Sequence, residues 1–159
     1  MLLIIEGIVM CFILLIICVV GIANGPVGLV VFYEPDVQQK VVDLGYTTKK
    51  KIKRATIITT ILLFAPVFFL VPAMVYGING VENFGDAFWQ MSIILWIMGL
   101  FDRIFIDWYW VGHTKAWEIP GTEELKPYIP LKTLIVKWTF SIIGFPIIAA
   151  LIAWIVTLI

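Results

Sequence analysis

Charged residues are scarce in this sequence, and those present cancel. Of its 159 residues 14% are charged, with 11 basic and 11 acidic side chains. No net basic field therefore indicates binding to nucleic acid. The sequence also lacks a Cys/His cluster with metal-ligand spacing and a glycine-rich phosphate-binding loop. It predicts no metal site, no cofactor and no nucleic-acid partner.

Long stretches of alternating polarity, which would indicate a membrane-spanning β-barrel, are lacking as well. What the sequence has instead is apolar residues, which make up 62% of the chain. A soluble domain needs more polar surface than this composition provides. We therefore predict an integral membrane protein with helical spans.

Four apolar stretches are long enough to cross a hydrocarbon core, which takes about 20 helical residues. They cover residues 2–32, 55–78, 88–111 and 134–158. The prediction is an all-α integral membrane protein in which residues 1–159 form one transmembrane domain. Its four helices would form a bundle, with loops at residues 33–54 and 112–133.

Basic residues indicate the orientation, because they concentrate in the first and third connections and are lacking from the second. The positive-inside rule then places those two loops in the cytoplasm and both termini outside. This topology predicts a multi-pass protein of a plasma or inner membrane. The basic residues are Lys40, Lys49, Lys50, Lys51, Lys53 and Arg54 in the first connection, and Lys115, Lys126, Lys132 and Lys137 in the third.

The first apolar stretch is too long for a straight span, since about thirty residues would reach about 45 Å. The sequence GIANGPVG around Pro26 predicts a break, either as a kink or as a discontinuous helix beside a binding site. Gly21 and Gly25 form a GxxxG pattern that predicts a close helix contact. Ala149 and Ala153 predict another, within the chain or between copies.

The first loop predicts a short helix. Val37, Val41 and Leu44 recur at helical spacing, Asp36 can cap the helix and Gly45 can end it. We expect this helix to lie on the cytoplasmic membrane surface. The basic residues after it predict either a topology anchor or a specific site for an anionic lipid headgroup. These residues are Lys49, Lys50, Lys51, Lys53 and Arg54.

Charges also occur inside the third span, in FDRIFIDWYWVGH. On a continuous α-helix, Asp102, Tyr109 and His113 would lie within about 40° of one another, with Arg103 and Asp107 extending that face. A polar stripe in a span faces the bundle interior or a crevice. Arg103 and Asp107 have the spacing of an ion pair. The stripe therefore predicts either a structural network or a functional site.

The third loop contains turn signals at Pro120 and Gly121, and a candidate cap at Thr122. We expect Trp117 and Tyr128 to hold this loop against the membrane. It would be a packed connector or a cover for the crevice beside the stripe. Three of its carboxylates are candidate acids or bases: Glu118, Glu123 and Glu124.

Three functions fit this sequence. The leading hypothesis is a non-catalytic scaffold, partner or regulatory subunit, because no complete catalytic set is present. The second is an enzyme acting on a lipid or amphiphile at the cytoplasmic interface, in which Asp107, His113 or a loop glutamate is the acid or base and Arg103 holds an anionic headgroup. The third is a transporter or channel that lines its path with the stripe. The predicted partners are membrane lipids, further copies of the chain or a larger membrane complex.

Overall fold

The structure is a computed structural model that describes residues 1–158. Within these residues the regular secondary structure is helical throughout. The five main helices are α1 (Leu2–Ile22), α2 (Pro35–Asp43), α3 (Lys49–Ile78), α4 (Phe84–Val111) and α5 (Leu131–Val156). Three short 3₁₀ segments, Pro26–Phe32, Lys115–Trp117 and Glu123–Leu125, lie in the connections.

Four of these helices, α1, α3, α4 and α5, are long and apolar enough to cross a membrane. The predicted number of candidate spans is therefore confirmed by helix length and composition. Two helices begin earlier than hydropathy indicates, because their polar first turns are capped by side chains. Thr48 accepts a hydrogen bond from the backbone N–H of Lys51, and Asn83 accepts one from that of Asp86.

The first helix breaks in the predicted stretch, but the glycines there have another role. α1 ends at Ile22, and the chain turns at Gly25, which has a φ of 102°. A Cβ at Gly21 would lie 2.6 Å from side-chain atoms of Leu29, and one at Gly28 would collide with the carbonyl oxygen of Gly21. The GxxxG prediction is therefore wrong: these glycines let the chain fold back against its own preceding turn.

Helix α4 is the centre of the fold and packs against both α1 and α5. The core on this side contains Met91, Ile94 and Leu95, which are fully buried. Ala149 and Ala153 of α5 are also fully buried, so their small side chains form a contact within the chain, as one of the two alternatives predicts.

Helix α2 packs on a second core instead of presenting its apolar face to a membrane surface. Val37 and Val41 are buried there, whereas Leu44 is exposed. Gly45 ends the helix with a φ of 78°, and Tyr46 N–H donates to the carbonyl of Val41, which is the Schellman arrangement. The expected contact of this apolar face with the membrane is therefore corrected, because amphipathic helices that pack on a core and those that lie on a membrane have the same periodicity. The position of α2 at the cytoplasmic membrane surface stays a prediction.

The loops before and after α2 and the loop that follows α4 lie together at one end of the long helices, called the loop end here. Helix α2 contacts the loop that follows α4 through an ion pair between Lys40 and Glu124 at 3.0 Å. At the opposite end, Glu6 of α1 is buried and accepts a hydrogen bond from Asn79, which also donates to Gln90. Partly buried polar contacts therefore join α1, the residue that follows α3, and α4 there.

The contact between α1 and α4 depends on Gly7. A Cβ added at Gly7 would lie 2.7 Å from the Cβ of Ile97, which cannot rotate away because it is attached to the backbone. We expect Gly7→Ala to lower the free energy of unfolding by about 1–3 kcal/mol, measured by denaturant unfolding in detergent. Gly77→Ala is the control, since its added Cβ meets nothing within 4 Å among residues 1–158 apart from its chain neighbours and the adjacent helix backbone. Equal effects of the two substitutions would contradict this packing.

Candidate functional site

The last part of α4, Asp102–Val111, is π-helical. Hydrogen bonds in a π-helix join residues five apart, so residues with that spacing lie above one another. Asp102 and Asp107 have this spacing, and Arg103 forms ion pairs with both carboxylates. The distance from an Arg103 terminal nitrogen to Oδ2 of Asp107 is 2.5 Å. The ion pair that the sequence predicts is therefore present.

A fourth charge comes from α5, where Nζ of Lys137 lies 2.7 Å from Oδ1 of Asp107. Asp102, Arg103, Asp107 and Lys137 are called the charge cluster below. Arg103 and Asp107 are its buried members, with side-chain exposures of 7% and 3%, whereas Asp102 and Lys137 retain 25% and 30%. The formal charges sum to zero, which is how a protein accommodates ions away from water.

Tyr109 and His113 do not join the charge cluster, which corrects the predicted stripe. Tyr109 is half exposed on another side of α4. His113 is exposed, and its Nδ1 donates to the carbonyl of Trp108 at 2.6 Å. The prediction assumed 100° per residue through this segment, and the π-helical geometry rotates these side chains away.

Sequence reasoning missed two members of buried polar networks. Lys137 was interpreted only as a topology signal, although it lies within the last apolar stretch, where an ionisable side chain usually has a partner. Glu6 lies within the first stretch and carries the same signal. Glu6 forms its polar contacts at the end opposite the charge cluster.

Three aromatic residues hold the loop end together. The hydroxyl of Tyr33 donates to the carbonyl of Trp117 at 2.5 Å, and the rings of Tyr33 and Tyr128 pack edge to face with centroids 5.1 Å apart. Trp117 and Tyr128 are buried in the protein. The expectation that they would hold the loop against a membrane is therefore wrong. Burial, with the nearby Tyr128 adding to it, raises the pKa of Tyr33.

The three candidate loop carboxylates are engaged within the loop end. Glu118 forms an ion pair with Lys126 at 2.5 Å, and Glu123 accepts a hydrogen bond from the backbone N–H of Gly121 at 2.9 Å. Glu124 pairs with Lys40, and its pKa is lowered by a backbone hydrogen bond and by that lysine. These contacts give the glutamates a role in ordering the loop.

Thr122, expected to cap a turn through its side chain, is buried instead. Its hydroxyl donates to the carbonyl of Ile119 and lies 2.9 Å from the hydroxyl of Tyr128. Tyr128 also accepts a hydrogen bond from the backbone N–H of Ile119. The loop therefore has a polar core of its own beside the aromatic residues.

A cleft runs between the charge cluster and these aromatic residues. Its central cavity has a volume of about 220 Å³ and is lined by Leu14, Cys18 and Leu63 together with the charge cluster, Tyr33 and Trp117. A pocket of about 500 Å³ shares Asp107 and Tyr128 with it, and lies on the side of the loop that contains His113 and Glu118. A third pocket, of about 150 Å³, shares Asp102 and Arg103.

Two residues that line the central cavity contain buried donor nitrogens without a hydrogen-bond partner within residues 1–158. They are Arg103, at Nε and at the Nη1 that forms the ion pair with Asp107, and Trp117, at Nε1. An unpartnered buried donor is costly, and it is relieved by water or by a ligand that presents an acceptor. The cleft thus combines apolar walls with residues whose donor nitrogens still lack an acceptor.

The part of the chain that the structure describes contains no group of three or more His, Cys, Asp or Glu side chains arranged to hold a metal ion. Comparison of the sequence and structure with protein-family models, curated proteins and solved structures found no significant match. The site is therefore interpreted from its own geometry.

Asp107 contacts both cations of the cluster, so its loss should be the most damaging. We expect Asp107→Asn to lower the free energy of unfolding by about 3–5 kcal/mol, because Lys137 and one side of Arg103 lose their partner. Asp102→Asn should cost less, since Asp102 is partly exposed and Arg103 would still pair with Asp107. Denaturant unfolding in detergent measures both variants. An equal or reversed order would show that Asp107 is not the centre of the cluster.

Tyr33 should make the loop end sensitive to alkali. We expect Tyr33→Phe to cost about 1–2 kcal/mol, because the Trp117 carbonyl loses its buried donor. Since the pKa of Tyr33 is raised in the folded state, its contribution is present below about pH 10, the ordinary tyrosine value, and is lost as the pH rises further.

The check is thermal unfolding at neutral pH and above pH 10. The exposed Tyr46 provides the control variant Tyr46→Phe. The difference between wild type and Tyr33→Phe should shrink at high pH, whereas Tyr46→Phe should follow the wild type. A constant difference would contradict the role given to the buried hydroxyl.

Proposed function

We propose that this chain is a multi-pass membrane protein that binds one amphiphile in the cleft at its loop end. The cavity beside the charge cluster, with the unpartnered donors of Arg103 and Trp117, is the observation that carries this proposal. The proposed orientation keeps both termini outside and the loop end in the cytoplasm of a cell bounded by a plasma or inner membrane. Its support is the accumulation of Lys and Arg in the two connections that meet there.

The walls of the cleft suit the apolar part of such a ligand. Leu14 of α1, Leu63 of α3 and Ile106 of α4 line the central cavity. Binding sites for small molecules combine apolar walls of this kind with a few polar groups that fix orientation. An acyl chain would pack against these side chains, with its head toward Arg103 and Trp117.

The charge cluster favours a head that is neutral or zwitterionic. Arg103 already pairs with two carboxylates and Lys137 with one, so no uncompensated positive charge is available in the cluster. Arg103 is therefore not assigned an anionic headgroup here, unlike in the enzyme hypothesis. The remaining capacity is for hydrogen-bond acceptors, such as the ester and hydroxyl oxygens of an acylglycerol.

Binding without turnover keeps the protein within the leading hypothesis, that of a non-catalytic partner or regulatory subunit. The bound amphiphile would then be what the subunit senses or presents. The enzyme and transport alternatives stay predictions, since they need a reaction or a flux in addition to the binding proposed here.

The decisive experiment measures binding of monooleoylglycerol to the detergent-purified protein by native mass spectrometry. We expect one bound molecule, with an affinity about 3–10-fold lower in Trp117→Phe, because that substitution removes one donor and keeps an aromatic ring. Trp154→Phe is the matched control, since Trp154 is exposed on α5. Absence of binding, or equal affinity of both variants, would overturn the proposal.

A second variant tests the cavity without changing its polar groups. Cys18 is a small side chain that lines the central cavity, so Cys18→Phe should fill it and abolish binding. Val20→Phe, at an exposed position on the same helix, should bind like the wild type. Thermal unfolding of each variant verifies that it is folded, and undiminished binding by a folded Cys18→Phe would place the ligand elsewhere.

A further inference from the structure

A separate groove lies on the outside of the loop end, between α2 and the beginning of α3. Its volume is about 530 Å³. Helix α2 contributes Pro35, Gln38, Gln39 and Val42, and α3 contributes Lys49, Ile52, Lys53, Thr56 and Ile57. It shares no lining residue with the cleft pockets.

Only two of the five clustered basic residues line this groove. Lys49 and Lys53 are four residues apart on α3, so their side chains lie on the same face of the helix. Lys50, Lys51 and Arg54 belong to the same sequence cluster but do not line the groove. Helical geometry thus places two of the five clustered basic residues at the groove and leaves the other three outside it.

The charges of Lys49 and Lys53 are uncompensated. Within residues 1–158, neither lysine lies within 4.0 Å of a carboxylate. The nearby carboxylate Asp43 of α2 accepts a hydrogen bond from Gln39 at 2.7 Å and does not line the groove. In addition, both lysines lie in the first turns of α3, where the helix dipole disfavours cations. An anion between them would offset both effects.

The polarity of the groove changes along α3. Lys49 and Lys53 lie at its beginning, and Thr56 and Ile57 follow toward the apolar part of the helix, about 12 Å from Lys49 at 1.5 Å per residue. Ile52 and Val42 add apolar surface. This sequence of charge followed by apolar wall matches a phospholipid, whose phosphate precedes its acyl chains.

We propose that the groove between α2 and α3 binds a single anionic phospholipid, with its phosphate between Lys49 and Lys53 and an acyl chain along Ile52 and Ile57. A diffuse topology anchor would use all five basic residues alike. In the groove, by contrast, only Lys49 and Lys53 would contact the phosphate. This site is distinct from the proposed amphiphile cleft.

The test is a titration of the detergent-purified protein with dioleoyl phosphatidylglycerol, followed by native mass spectrometry. We expect one tightly bound lipid and an affinity about 25-fold lower in the double variant Lys49→Gln/Lys53→Gln, since each basic residue near an anionic lipid contributes about fivefold. The matched control Lys50→Gln/Lys51→Gln removes the same charge and should change the affinity less than about threefold. Equal losses in the two double variants would overturn the proposal.

A second pair of variants tests the groove without altering charge. Thr56→Trp should fill its apolar part and weaken binding at least tenfold, whereas Thr60→Trp, one turn farther along α3 and outside the groove, should not. Binding that survives Thr56→Trp would show that the lysines act without the groove. Thermal unfolding verifies that each variant is folded.

Further measurements identify the ligand and distinguish this proposal from the proposed amphiphile binding in the cleft. Dioleoyl phosphatidylcholine should bind at least tenfold more weakly than dioleoyl phosphatidylglycerol, and inorganic phosphate at the same concentration should not displace the lipid. Equal binding of the two phospholipids would overturn charge recognition, and displacement by phosphate would overturn the lipid assignment. Trp117→Phe should leave phosphatidylglycerol binding unchanged, so either proposal can fail while the other holds.

Discussion

The ion pairing of Arg103 and Asp107 is the constraint on which the loop end depends. Both side chains are buried, so each needs its partner to offset the loss of water. Asp107 also forms an ion pair with Lys137, which connects the central helix α4 to α5. The same residues form one side of the cleft. The interaction that allows charges among the packed helices therefore also shapes the proposed binding site, so the proposal couples stability to ligand binding there.

The π-helical segment explains which parts of the site the sequence could predict. Hydropathy located four long helices, and the spacing of Arg103 and Asp107 predicted their pairing. The predicted face failed for Tyr109 and His113, because a 100° repeat does not describe a segment whose hydrogen bonds join residues five apart. Lys137 could not be assigned to the cluster from spacing at all, since its partner lies on another helix and only tertiary packing brings them together.

The loop end shows a different limit of sequence reasoning. Trp117 and Tyr128 were expected at a membrane interface, and Val37 and Val41 on a membrane surface, yet the structure buries all four in one core. Aromatic rings with a polar group serve equally at interfaces and in cores that provide a hydrogen-bond partner. Here Tyr33 provides the partner for a core position, because its hydroxyl donates to the carbonyl of Trp117 and its ring packs on Tyr128. No periodicity in the sequence relates these positions.

Electrostatics separates the two proposed sites at this end of the protein. In the cleft the cations are already paired with carboxylates, so a ligand gains mainly from hydrogen bonds and from apolar contact. In the groove Lys49 and Lys53 have no carboxylate partner among residues 1–158, so an anionic phosphate gains most. Ionic strength should therefore weaken lipid binding at the exposed groove far more than amphiphile binding at the cleft, because screening acts on exposed, uncompensated charges. A protein with both sites would distinguish neutral from anionic amphiphiles by where each one binds.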